Sequence, residues 1–269
     1  MDPDALLTDF DVQLRQRARG GAGADTEQIG GVVRLTAGPG RWSGVVWSDL
    51  DEGTADRAIA AQVRHYAVRE REFEWKLYAH DEPADLGARL RAAGFRPEPR
   101  ETVMVANVAE LATEVVLPEG VRLRPVTDPD AVEPLAEAHA AAFGTGRPEL
   151  AEELRAQLAG EPETVAMVVA TARGRPVSGA RVELPPHADF AGLWGGGTAP
   201  AWRGCGIYRA LVAYRARIAA ERGYRYLHVD ASEQSRPILR RLGFIPLTTT
   251  TPYVHRPPGI ANAPAAQLG

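Results

Sequence analysis

The chain has 269 residues, 45% of them hydrophobic and 25% charged, and its formal net charge is −4. These values are ordinary for a soluble globular protein and exclude a general nucleic-acid binder, which would carry a strong basic field. No apolar run approaches the ~18 residues of a membrane helix. Cys205 is the only cysteine, so neither an intrachain disulfide nor a multi-cysteine metal site can form. The length suits one large domain or two small ones. The single cysteine fits a reducing compartment, and the acidic start Met1-Asp2-Pro3-Asp4 is unlike a secretory signal, so the expected location is cytoplasmic.

In chain order, residues 5–19 read as a polar helix and Arg19 to Ala24 as a glycine-rich loop. Gly31 to Thr36 and Trp42 to Trp47 read as strands joined through a Gly38-Pro39-Gly40 turn. Asp56 to Arg69 is a helix, with Ile59, Val63 and Tyr66 on one face. A strand follows at Phe73 to Tyr78. Next come a helix from Pro83 to Ala93, stopped by Gly94, and a strand from Glu101 to Val108. Residues 110–119 read as a linker.

The second half opens with strand Val121 to Arg124, helix Pro129 to Phe143, loop Gly144-Thr145-Gly146 and helix Glu149 to Leu158. Thr164 to Thr171 is a strand buried on both faces, Arg175 to Leu184 a second strand and Asp189 to Thr198 a third. A helix starts at Ile207, with Leu211, Tyr214 and Ile218 at helical spacing. Strand Arg225 to Asp230, a short helix ending Leu242-Gly243-Phe244 and a strand from Thr248 to Val254 close the fold. The tail after Arg256 is rich in proline, glycine and alanine and reads as flexible.

The two halves repeat one another. Leu90-Arg91-Ala92-Ala93-Gly94-Phe95-Arg96-Pro97 matches Leu239-Arg240-Arg241-Leu242-Gly243-Phe244-Ile245-Pro246, and at the same offset Thr102 falls on Thr251 and Val105 on Val254. The most informative stretch lies in the second half, from Leu193 to Tyr208. There a strand runs through Gly196 and Gly197 into Arg203-Gly204-Cys205-Gly206 and then into a helix. Glycines let a ligand approach the backbone, and the free amides of a helix start favour an anion. Arg203 adds a positive charge at that point. At the matching place in the first half stands Thr54-Ala55-Asp56-Arg57, without glycine and with a carboxylate that opposes phosphate.

Residues 198–206, Thr-Ala-Pro-Ala-Trp-Arg-Gly-Cys-Gly, resemble the acetyl-CoA loop of the GNAT N-acetyltransferases, a valine-x-proline followed by arginine-glycine-x-glycine. Leu242-Gly243-Phe244 is similar to the end of that family's closing helix, and the resemblance covers about residues 121–256. It implies an α/β fold (α+β in some schemes): a mixed, mostly antiparallel sheet flanked by helices, in two tandem copies. Residues 1–112 are then a degenerate, truncated copy, 118–256 the acetyltransferase domain and 257–269 a flexible tail. The implied cofactor is acetyl-CoA, held by Gly196, Gly197, Thr198, Arg203, Gly204, Cys205, Gly206, Ile207 and Tyr208, with Ser232 and Ser235 at the start of the closing helix. The implied partner is an amine, of a small molecule or a protein, attacking directly in a ternary complex; neither nucleic acid nor membrane is expected.

The family's usual tyrosine position in the closing helix is Leu239 here, which cannot donate a proton. The acid and base are therefore sought elsewhere. Glu183, next to the glycine strand, is expected to be a buried base with a raised pKa, and Tyr253 to replace the missing acid. His228 reads as a packed histidine, Asp230 as a cap of the next helix, and Cys205 as a loop position with no nucleophilic role. An acyl-CoA-binding regulatory module and an interaction scaffold are the competing readings, the first supported by Leu239.

Overall fold

The computed structural model describes residues 2–21, 23–38, 41–144 and 149–257. Pro39, Gly40, Thr145, Gly146 and the tail from residue 258 lie outside them, so the two expected turns and the expected tail are only partly within view or beyond it.

Helix α1 (Pro3–Phe10) is capped by the Asp2 carboxylate and continues as a π-helical segment, Asp11–Gln16. It is followed by β1 (Ala24–Ile29), β2 (Val32–Ala37), β3 (Gly44–Ser48), α2 (Ala55–Ala67), β4 (Phe73–Tyr78), α3 (Leu86–Ala92), β5 (Arg96–Pro97) and β6 (Glu101–Asn107). The second half holds β7 (Val121–Val126), α4 (Glu133–Phe143), α5 (Leu150–Gly160), β8 (Val165–Ala172), β9 (Arg175–Glu183), β10 (Phe190–Thr198), α6 (Ile207–Glu221), β11 (Tyr226–Ala231), α7 (Arg236–Arg241) and β12 (Ile245–His255). Strand β1 escaped the sequence reading. Five of its six residues are exposed, so it lacks the polar–apolar alternation that marks a strand.

Two compact units result. One holds the chain up to Val103 with the segment from Pro246, the other Met104–Ile245. In the first unit the strand order is β1-β2-β3-β4-β12, antiparallel except for the parallel pair β3/β4. Its core gathers Val32, Ile59, Tyr66, Phe73, Trp75, Leu90, Phe95 and Tyr253. In the second unit the order is β7-β8-β9-β10-β11, antiparallel except for β10/β11. Each unit thus joins a parallel strand pair through one helix, α2 or α6, which is the structural form of the repeat.

The units do not follow the division into sequence halves expected at 112 and 118. Each half ends in a strand that belongs to the other unit. Met104, Ala106 and Val108, at the end of the first half, lie buried with Val182, Leu193 and Leu227 in the second unit, where the Val108 amide donates to the Arg225 carbonyl at 2.9 Å. Strand β12, at the end of the second half, runs along β4 from Thr250 opposite Tyr78 to His255 opposite Phe73. The matched positions Val105 and Val254 lie on the two exchanged strands.

Candidate active site

The parallel pair of the second unit is short. β10 and β11 are in register at Phe190/Tyr226, Ala191/Leu227 and Gly192/His228, and the pairing ends there. Both strands continue, β10 to Thr198 and β11 to Ala231, while β10 stays bonded to β9 as far as Thr198/Ser178. From Leu193 onward one edge of β10 is therefore without a β11 partner. A fork of this kind, at the carboxyl ends of parallel strands, is where open α/β sheets take their ligands.

A bulge between Trp194 and Gly197 bends β10 along this stretch, and Gly195 has a positive φ of 61°. The sequence reading assigned the glycines to close approach of a ligand; packing against the protein itself accounts for two of them. A Cβ on Gly197 would lie 2.7 Å from Ala142 and Phe143 of α4, and one on Gly196 would lie 3.2 Å from the Tyr208 ring. What remains available to a ligand is the backbone edge. Ser178 fixes the strand end, its hydroxyl donating to the Gly197 carbonyl at 2.6 Å and lying 2.8 Å from the buried Thr198 hydroxyl.

After β10 a single turn, Pro200–Trp202, leads into the loop. Gly204 (φ 76°) and Gly206 (φ 91°) are left-handed, and a Cβ on Gly204 would meet open space. Gly206 is the N-cap of α6 and supplies no side-chain cap. The first bond of the helix runs from the Ala210 amide to the Gly206 carbonyl, 3.0 Å. The amides of Ile207, Tyr208 and Arg209 thus have no acceptor within the helix, and they face the mouth of the loop where an anion is favoured. Cys205 is exposed, its thiol directed at the Arg203 carbonyl at 3.5 Å.

Two side chains depart from expectation. The guanidinium of Arg203 binds protein carbonyls, Nε donating to Thr198 at 3.0 Å and Nη2 to Ala142 at 2.7 Å. Its role is to pin the loop to β10 and α4, which corrects its assignment as a charge presented to phosphate. Tyr208 turns its ring inward, and burial pushes its hydroxyl pKa up. Beside it lies Arg215, which the sequence reading passed over. It is 1% exposed, and burial pushes its pKa down to about 10. Nε donates to Leu211 at 3.0 Å and Nη1 to Arg181 at 3.2 Å, both carbonyls, while Nη2 has no partner among the described residues. The signal was in the spacing: Arg215 follows Ile207 and Leu211 by four-residue steps on the buried face of α6.

Glu183, Gly192 and His228 stand in one row across β9, β10 and β11. Residues paired in this way share a sheet face. Gly192 leaves a gap between the carboxylate and the imidazole: a Cβ there would lie 2.9 Å from His228 Nε2 and 2.6 Å from Trp194 Nε1. The Trp194 and His228 rings meet edge-on with centroids 6.2 Å apart. Glu183 is not the buried carboxylate expected. Its side chain is 36% exposed and accepts from Arg181 Nε at 3.2 Å and Gln157 Nε2 at 3.4 Å. The premise of a buried carboxylate therefore falls.

Tyr253 belongs to the core of the first unit, 5% exposed, and its hydroxyl accepts from Arg91 at 2.9 Å. The expectation that it supplies the missing acid is corrected on that ground: the hydroxyl is engaged and packed among Phe73, Trp75 and Leu86. Ser232 and Ser235 bond one another at 3.2 Å and organise the first turn of α7. Asp230 is buried at 2% exposure on β11, and Leu239 is fully buried in the core.

The mixed sheet, the forked parallel pair and the glycine loop leading into a helix together define a GNAT-type fold. Residues 132–244 match the model of the acetyltransferase (GNAT) family. No curated protein matches the chain. Among solved structures, a GCN5-related N-acetyltransferase from Kribbella flavida is similar over 96% of this chain and 95% of its own, with 18% identity and a TM-score of 0.67. A GCN5-related N-acetyltransferase from Sphaerobacter thermophilus is similar over 86% of this chain and 82% of its own, at 19% identity and 0.57. A tandem GNAT protein from the clavulanic acid biosynthesis pathway is similar over 90% of this chain and 86% of its own, at 16% identity and 0.56.

Proposed function

We propose that the second unit is an acetyl-CoA-dependent N-acetyltransferase, which passes an acetyl group to an amine of a small molecule or a protein while both substrates are bound. The fork between β10 and β11, opening next to the uncapped start of α6, is the observation that carries this reading. The residues present fit the cofactor: left-handed Gly204 and Gly206 keep side chains out of the loop, and Ile207, Tyr208 and Arg209 offer amides. The amides of Ile207, Tyr208 and Arg209 would hold the diphosphate, and the free edge of β10 from Leu193 to Thr198 the pantetheine arm. Bound acetyl-CoA supplies the acyl group already activated as a thioester.

The chain's own residues do the rest. The bulged β10 edge is held rigid by β9 and by Ser178, so its amides are preset donors for charge developing on a carbonyl. His228 Nε2, at the apex of the fork, takes the proton from the attacking amine; imidazole is the commonest group for that task. Glu183, on the other side of Gly192, gives the incoming ammonium group a carboxylate to bind. With Leu239 at the closing-helix position, no side chain there protonates the leaving thiolate, and water serves.

The test is thiol release from acetyl-CoA across a panel of amines, with wild type and His228→Gln. Turnover with at least one amine, falling about 10²-fold in the variant at unchanged CoA affinity, is the expected result. CoA binding without turnover on any amine favours the regulatory module, which Leu239 supports; equal rates in the two proteins remove His228 from the mechanism.

A further inference from the structure

The first unit lacks the left-handed glycine loop, yet it contains a cavity of its own. About 390 Å³ lies between the β1–β2 turn and the start of α2, lined by Ile29, Arg34, Asp49, Leu50, Arg57 and Ala61, among others. That is the size range of small-molecule sites. Its polar groups fall into two kinds. Arg34 is buried and committed: Nε and Nη2 bind Glu27 at 3.0 and 2.9 Å, and Nη1 binds Gln62 at 3.1 Å. Arg57 and Asp49, in contrast, are exposed, and neither side chain forms a hydrogen bond or close ion pair among the described residues; Arg57 meets the Asp51 carboxylate only through a longer-range attraction. The apolar share of the wall comes from Leu50, Ala58, Ala61 and Ile29, the last an isoleucine 50% exposed at the rim. Gly30 (φ 59°) supplies the left-handed backbone that the turn requires.

We propose that this cavity is a second ligand site, specific for a small zwitterion of the amino-acid class with an apolar side chain. The argument is one of balance. A simple carboxylate would satisfy Arg57 but face Asp49; a simple amine would satisfy Asp49 but face Arg57. A molecule carrying both charges satisfies both, and its apolar part covers Leu50, Ala58, Ala61 and Ile29. The committed Arg34–Glu27 pair contributes no net charge and acts as a fixed floor. The cavity is too small for a whole CoA, and the proposal does not depend on acetyl transfer by the second unit.

Calorimetric titration of the full chain with L-leucine tests it, alongside 4-methylpentanoate, which lacks the amine, and 3-methylbutylamine, which lacks the carboxylate. Saturable binding of leucine with a Kd of about 1 mM or tighter is expected. Each single-charge analogue, and leucine with Asp49→Asn or Arg57→Gln, should bind about tenfold weaker or worse, the usual loss for one charge-assisted bond. Both substituted residues are exposed, so the fold is retained. Ala61→Phe, which fills the cavity, should abolish binding while CoA titration is unchanged. Absence of leucine binding, equal binding of the analogues, or full binding by Ala61→Phe would overturn the proposal.

Discussion

The start of α2 in the first unit and the start of α6 in the second occupy the same place in the same strand–helix–strand motif, and they treat their amides in opposite ways. Ahead of α2 the loop amides bind an internal carboxylate, although no side chain caps the helix itself. The Asp51 carboxylate accepts from the Gly53 amide at 2.9 Å, the Thr54 amide at 2.8 Å and the Thr54 hydroxyl at 2.7 Å. Asp56, in the first turn, pairs with Arg89 at 3.0 Å. Ahead of α6, which also has no side-chain cap, two left-handed glycines stand in the loop in place of the carboxylates. An internal anion already holds the place that an external anion would take. Competence to hold a diphosphate therefore rests on a few loop residues, while the shared topology rests on the apolar pattern of strands and helices.

Several experiments would break or sharpen this comparison. The largest effect is expected from cutting the chain at residue 118. Residues 118–269 alone lose Met104, Ala106 and Val108 from the core of the second unit and leave β12 without β4. Burial of these side chains contributes about 3–6 kcal/mol, a large share of a net stability of roughly 5–15 kcal/mol. The fragment should be insoluble or melt far below the full chain; equal solubility and melting temperature would show that the exchanged strands are dispensable.

Next in size is Gly206→Val. A β-branched residue at φ 91° is strained by about 1–3 kcal/mol and disorders the loop. CoA affinity should drop at least about tenfold, measured by calorimetry, while far-UV circular dichroism stays unchanged.

A smaller effect belongs to Asp51. Its Thr54 partners hold its carboxyl below the usual range. The sign follows from linkage: a depressed pKa contributes stability above the ordinary carboxylate value of about 3.9, and that contribution is lost as the pH falls through the lower value. Asp51→Ala should therefore narrow the difference in melting temperature between neutral pH and pH 3. It should not create a second CoA site, because no left-handed glycine opens that loop. The smallest change is expected for Asp56→Ala, which leaves CoA titration as in wild type.

Much of the fold was legible because burial is periodic. β4 was delimited to the residue, and α2, β9 and β10 to within one or two. β1 was not legible, since an exposed edge strand of Ala-Asp-Thr-Glu-Gln-Ile has no buried face to leave a pattern. The strand exchange was invisible for a different reason. β6 and β12 match each other in the repeat, so the sequence alone cannot say which unit each one joins. At the candidate site, the loop was legible because left-handed backbone demands glycine at Gly204 and Gly206. The roles of Arg203, Glu183 and Tyr253 were misread because they depend on what each side chain meets in space: two carbonyls, Arg181 and Arg91 respectively.

The central claim is that this chain holds CoA once, at the loop before α6. Isothermal titration of the full chain with CoA addresses it most directly. The account predicts one site per chain, lost in Gly206→Val and unchanged in Asp56→Ala. A stoichiometry near two, or full binding by the Gly206→Val protein, would contradict it.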